Sequence, residues 1–324
     1  MRGFVANTDY DWYRFLARRA QEAPLDEVNF WRPSDSTSFK ALAPGEPFFF
    51  RLKHPHNAIA GFGWFARFSI LPAWLAWDAF GVENGAETLD ALVERLVMYR
   101  RRMGHRDAGR ASDFEIGCII VTQSVFFPEN LWVREPADWH QNIVAGRTED
   151  LSSGEGRRIF EECRERASLI GAVENTSPAV QPLQISLDGE APRYGDPILV
   201  APRLGQGAFR IAVLDAYERA CAVTQEHSLP ALEAAHIRPF ADGGPHDVRN
   251  GLALRSDIHR LFDTGYVTVT PDYRFRVSEA LYEDFHNGRS YYALDAQSIH
   301  VPAEMVMRPD PELLAWHAET VWRG

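Results

Sequence analysis

Four polar side chains in the C-terminal half have the types and spacing for hydrolytic chemistry. His236 lies in Leu-Glu-Ala-Ala-His-Ile-Arg-Pro-Phe (232–240), Asn250 opens Asn-Gly-Leu, and His259 and Asp263 bracket His-Arg-Leu-Phe-Asp. A neutral histidine is a general base near pH 7. A histidine and an aspartate four residues apart on a helix share a face and can hold one divalent ion through mixed nitrogen and oxygen ligands. An asparagine beside a strand can bond backbone and keep two strands in register. Base, cation and a fixed frame are what hydrolysis of a phosphodiester requires.

The elements that must position them follow from the pattern. A short strand is expected over 231–237, a Gly-rich turn at Asp242-Gly243-Gly244-Pro245, a second strand over 251–254, and a helix capped by Ser256 or Asp257 that carries His259 and ends near Gly265. A helix over 206–220, with Phe209, Val213, Leu214 and Tyr217 on one side, precedes this unit. A hairpin over 266–277 and a helix near 310–322 follow it.

The segment resembles the HNH endonucleases, whose ββα unit clasps one metal. The flanks carry the likeness: Ala-His-Ile-x-Pro, Asn-Gly-Leu-x-Leu and His-x-Leu-Phe-Asp-x-Gly. The resemblance implies His236 as base, Asn250 as the structural asparagine, and His259 as metal ligand with Asp263 as a second. It also implies one divalent ion, magnesium or manganese, and double-stranded DNA as substrate. Two departures stand out. Many members have an acidic or histidine ligand just before the base, where this chain has Ala235. Water and phosphate oxygens, or Glu233 from the same strand face, are the alternatives for the missing ligand. The usual zinc cysteines are absent, with Cys221-Ala-Val-Thr224 as a remnant, so packing by the helix at 206–220 is expected in place of a structural zinc. Arg238, Arg249, Arg255 and Arg260 flank the motif, as phosphate contacts or as solvated charges.

Bulk properties set limits. The 324 residues suggest two domains. Three widely spaced cysteines, Cys118, Cys163 and Cys221, exclude a disulfide scaffold. No apolar run is long enough to span a bilayer, and the start of the chain has no secretory pattern, so a soluble cytoplasmic protein is expected. The net charge of −11 argues against generic nucleic-acid binding, but ten arginines balance ten acidic residues between Arg193 and Arg276.

In the N-terminal half, helices are expected over 8–22, 86–103 and 154–169, and strands over 47–52, 58–65 and 116–122. Asn-Phe-Trp-Arg-Pro (29–33), Pro-Gly-Glu-Pro-Phe-Phe-Phe-Arg (44–51) and Ile-Ala-Gly-Phe-Gly-Trp-Phe (59–65) resemble PUA-superfamily domains of the EVE and ASCH kind. That resemblance implies a β-barrel accepting a flipped, modified base, with Trp31, Trp64, Trp77 and Asp78 supplying stacking faces and a polar group.

The expected organisation is α+β: a PUA-like barrel with flanking helices over 1–173, a Pro/Gly-rich linker over 174–202, and an HNH nuclease domain over 203–324. The leading expectation is a modification-dependent restriction endonuclease. Two others stay open: an HNH nuclease without modification dependence, in defence or DNA processing, and a non-cleaving DNA-binding protein with a degenerate site. A homodimer is compatible with a site that nicks one strand at a time.

Overall fold

The computed structural model describes residues 1–34, 38–104, 110–171 and 205–324, and the expected linker lies outside them. The chain divides into two compact units, Met1–Gly205 and Gln206–Gly324, both mixing helix and sheet. Among the described residues no helix is long and apolar enough to cross a membrane.

The first unit is built on seven strands, β1 (Arg2–Thr8), β2 (Glu27–Arg32), β3 (Pro47–Leu52), β4 (Ala58–Pro72), β5 (Glu115–Phe126), β6 (Val133–Arg134) and β7 (Gly146–Asp150). They pair in the order β2-β5-β4-β3-β1-β7, with β6 beside β4. This path is open, with β2 and β7 as its ends, so the expected barrel is not closed among the described residues. The order depends on a parallel pairing of β1 with β3, which places β7 on the outer edge of β1. Side chains alternate across a strand, and the Phe48-Phe49-Phe50 run divides its rings between two cores. Phe48 and Phe50 pack with Trp12, Tyr13 and Leu16 of α1 (Tyr10–Glu22). Phe49 packs with Ile159, Cys163 and Ala167 of α4 (Gly154–Leu169). Between them come α2 (Ala73–Phe80) and α3 (Leu89–Arg102). Asp9 caps α1 by accepting from the Trp12 amide, and Thr88 caps α3 by accepting from Ala91.

The second unit begins with α5 (Gln206–Ala216), then β8 (Leu232–His236), β9 (Gly251–Arg255) and α6 (Ser256–Asp263). β8 and β9 are antiparallel, pairing His236 with Gly251 and Leu232 with Arg255. The cap of α6 is Arg255, one residue before the expected Ser256, and no side chain bonds there. The helix ends at a glycine because a left-handed residue is needed. Gly265 has φ +79°, its amide bonds the Phe262 carbonyl at 3.1 Å, and the Tyr266 amide bonds Leu261 at 2.9 Å. The hairpin β10 (Val267–Val269) and β11 (Phe275–Val277), short helices α7 (Ala280–Phe285) and α8 (Arg289–Tyr292), and α9 (Pro311–Thr320) complete the unit.

His317 locks α9 onto α6. It is 2% exposed, and its ring stacks on Phe262 at 3.7 Å and 9°. A carbonyl only accepts, so the Nε2–H donates to the Phe262 carbonyl at 3.1 Å, and Nδ1 accepts from the Thr268 hydroxyl at 2.9 Å. Burial pushes this imidazole down to about 4, against smaller opposing effects of the Phe262 carbonyl and Asp263. A histidine held neutral in the fold contributes stability that is complete above its unfolded value of about 6.5 and is lost as pH falls toward 4. His317→Leu should therefore cost about 2 kcal/mol at pH 7 and flatten the loss of stability between pH 7 and 4.5. Urea unfolding at the two pH values measures both. Equal pH slopes for variant and wild type would remove His317 from the acid response.

Candidate active site

Asn250 supplies the frame. It is fully buried where the 3₁₀ turn Val248–Asn250 meets β9. Its Oδ1 accepts from the Arg238 amide at 2.9 Å, and its Nδ2 donates to the carbonyls of Arg238 and Pro245, each at 2.9 Å. The Ile237 amide bonds the Asn250 carbonyl at 2.9 Å, so main chain and side chain together close the loop between β8 and β9. Gly244 passes tightly under this clamp. A Cβ there would lie 1.9 Å from the Arg238 carbonyl oxygen and 2.8 Å from Asn250 Nδ2, so no larger residue fits without moving the loop.

The clamp places His236, at the end of β8, on the wall of a pocket of about 320 Å³, together with His259 and Asp263 of α6. His246, Phe240, Ala234 and His317 also line it. Of the sequence-predicted residues, His236, expected as base, and the two helical candidates are thus brought together, and Asn250 stands behind them as the staple. His246 and Phe240 were not expected here. Both ride on the loop that Asn250 ties back through Pro245, a closure that no local pattern displays.

His259 lies between two carboxylates. Its Nδ1 is 2.6 Å from Glu233 Oε2, and its Nε2 is 3.3 Å from Asp263 Oδ2. Burial pushes His259 down, but the hydrogen bonds to Asp263 and Glu233 outweigh it, and the net shift is upward. With Nδ1–H donated to Glu233, the Nε2 lone pair faces the Asp263 side, the arrangement in which a carboxylate braces a metal-binding imidazole. Glu233 thus reaches His259, and Ala235 is fully buried and offers no donor. Among the described residues no group of three His, Cys, Asp or Glu side chains is assembled as a metal cluster. The donor set of His259 Nε2 and Asp263 fits a divalent ion as a two-ligand site whose remaining positions are open to water or phosphate oxygen.

His236 has the opposite surroundings. Burial, reinforced by the charges of His246 and His259 and opposed by Asp263, pushes it down to about 4. It is therefore neutral at pH 7.

The flanking arginines differ in how far they are already engaged. Arg238 donates to the Asp242 carbonyl at 2.6 Å and lies over the Trp316 ring. Arg249 pairs with Asp310 at 2.7 Å and Arg255 with Asp257. Arg260 is exposed on α6, next to His259, and has no ion pair among the described residues.

Of the four residues expected to form a modified-base pocket, Trp31 and Trp64 pack against different clusters. Trp31 packs against the Phe48/Phe50 core, where its Nε1–H donates to the Asn84 carbonyl at 2.9 Å, and Trp64 packs against the Phe49 core on the other face of the sheet. Trp77 and Asp78 lie on α2, Asp78 exposed. Trp31 is on β2 and Trp64 on β4, and each strand hands its tryptophan to a different cluster.

Asn250→Ala should destabilise the second unit by roughly 3 kcal/mol, because it strands one buried amide and two carbonyls. Asn250→Asp should be no better, since a carboxylate then faces two carbonyl oxygens. Urea unfolding of the full chain reads both, and an unchanged midpoint for Asn250→Ala would show that the clamp is dispensable.

A family model of HNH endonucleases matches residues 221–270. No curated protein matches the chain. The matched segment contains His236, Asn250, His259 and Asp263 and excludes α5, α9 and the whole first unit. In that segment the chain is similar to a family of nucleases that hydrolyse phosphodiester bonds in DNA and generally use a divalent metal.

Proposed function

We propose that the second unit is a metal-dependent DNA endonuclease with His236 as general base and His259 with Asp263 as metal ligands. The observation that carries this reading is the single pocket lined by all three, on a strand–loop–strand–helix frame stapled by Asn250. His236 takes a proton from water, the resulting hydroxide oxygen attacks phosphorus, and the bond from phosphorus to the leaving oxygen breaks. A bound magnesium or manganese ion supplies Lewis-acid stabilisation of charge on the phosphate and the leaving oxygen. Glu233 orients His259 through Nδ1, and Asn250 holds the loop that borders the base. Arg260, exposed beside His259, is the flanking arginine best placed to meet a phosphate. Double-stranded DNA is the proposed substrate, with one strand cut per site. No base selectivity is assigned to Trp31, Trp64, Trp77 or Asp78, because two of them serve opposite cores.

His236→Ala should lower the cleavage rate of plasmid DNA by about 10²- to 10⁴-fold while Mn²⁺ binding, read by calorimetry, stays near wild type. Binding of DNA with no cleavage by the wild-type protein, under any Mg²⁺ or Mn²⁺ concentration, would instead support a non-cleaving module. Plasmids with and without base modification, cut side by side, test whether selectivity resides elsewhere in the chain.

The two carboxylates on His259 set the pH response. Its raised pKa means that a proton must leave before a metal ion can bind, so apparent Mn²⁺ affinity should rise with pH, up to about tenfold per unit while the imidazole is protonated. Cleavage lost at pH 6 should return on adding Mn²⁺, since His236 is still neutral there. Glu233→Gln should weaken Mn²⁺ binding about 10- to 100-fold. An acid loss of activity that added metal does not restore would place the titrating group elsewhere.

A further inference from the structure

The base is held by an aromatic ring from outside the matched segment. Phe209, on α5, is 1% exposed, and its ring lies parallel to that of His236, with centroids 3.9 Å apart and planes 11° apart. His246 meets both rings on edge, at 5.6 Å and 71° from His236 and at 6.3 Å and 73° from Phe209. His236 therefore has one face covered by a phenyl ring and a second imidazole packed against it.

Hydrogen bonding does not account for this orientation. A catalytic histidine is ordinarily aimed by a carbonyl or carboxylate on its second nitrogen. His236 Nε2 is buried and has no hydrogen-bond partner among the described residues. What restrains the ring is packing, since rotation about its Cβ–Cγ bond would lift it off the Phe209 face. Phe209 is itself closely packed. It sits against Gly251, where an added Cβ would come within 3.0 Å of its Cζ and 2.3 Å of Val213. The β8–β9 pairing sets Gly251 opposite His236, so the one position in β9 without a side chain is where the phenyl ring reaches the base.

We propose that Phe209 is the positioning residue of His236, and that α5 is thereby part of the active site. This rests on the reading of His236 as general base. An apolar face suits that role twice, because it fixes the ring plane and adds no acidic group that would draw a proton or a metal ion onto the base.

The test uses the full chain with Mn²⁺ and plasmid DNA. Phe209→Met keeps most of the volume and removes the ring, and Phe209→Leu is the alternative if the methionine variant folds poorly. Ile211→Val, also buried on α5, is the control for loss of helix packing alone. In Phe209→Met, kcat per folded molecule should fall about 10- to 100-fold with KM and Mn²⁺ affinity within about twofold, whereas Ile211→Val should keep the wild-type kcat. The His236 ring-proton NMR resonances, shifted upfield by the phenyl ring current in the wild type, should move downfield in Phe209→Met and stay in place in Ile211→Val. A Phe209→Met protein with wild-type kcat, or with unmoved His236 resonances, overturns the proposal. If His236→Ala is inactive in the same assay, the base assignment survives that failure. If His236→Ala is fully active, it is the base assignment that fails.

Discussion

Everything in the candidate site hangs on one buried amide. Asn250 makes three side-chain hydrogen bonds to backbone groups of a loop that lacks a regular ladder, and it immediately precedes β9. A loop of this kind would otherwise leave buried amide and carbonyl groups unpaired, which costs more than the bonds themselves contribute. One asparagine can satisfy a donor and two acceptors at once, which neither aspartate nor an apolar residue can do. The need for a glycine at 244 follows directly, because the clamp draws the Arg238 carbonyl to where a Cβ would be. So does the position of His246, one residue beyond the carbonyl that Asn250 holds.

Around this frame the same side-chain type is put to contrasting uses. His259 is flanked by Glu233 and Asp263, His236 by Phe209 and His246, and His317 by Thr268 and a carbonyl. Their proton affinities diverge accordingly, up for His259 and down to about 4 for the other two. The proposed roles of His259 and His236 follow this divergence. The acidic side of the pocket favours a cation, and the aromatic side favours an uncharged ring.

The parts of this arrangement that are legible in the chain are those set by short spacing. His259 and Asp263 are one helical turn apart, and both short strands and α6 follow from apolar pattern and turn residues. Contacts between elements were not legible. Glu233 meets His259 across 26 positions, and Arg249 meets Asp310 across 61, so no window of sequence shows either pair. The Phe209 stack appears in the sequence only as one apolar residue on a helix face. In the first unit, the aromatic strands are visible, and the alternation of Phe48, Phe49 and Phe50 already implies two cores. The parallel pairing of β1 with β3 was not visible, and it is this pairing that carries the sheet outward to β7 as an open path. Trp31 and Trp64 look equivalent in sequence because which cluster each one packs against depends on elements distant in the chain.

Ala235 then becomes intelligible as more than a missing ligand. It is fully buried on β8, between Glu233, which bonds His259, and His236, which stacks on Phe209. Ala234 and His236 line the pocket and Ala235 does not, so a carboxylate at 235 would be a buried charge on the opposite face of β8, which is costly. With alanine there, the two carboxylates nearest the site, Glu233 and Asp263, both contact His259. The contacts of the two imidazoles divide accordingly, with carboxylates at His259 and aromatic rings at His236. On the proposed reading, metal affinity would rest on the Glu233–His259–Asp263 chain of contacts, and the geometry of the proposed base on α5.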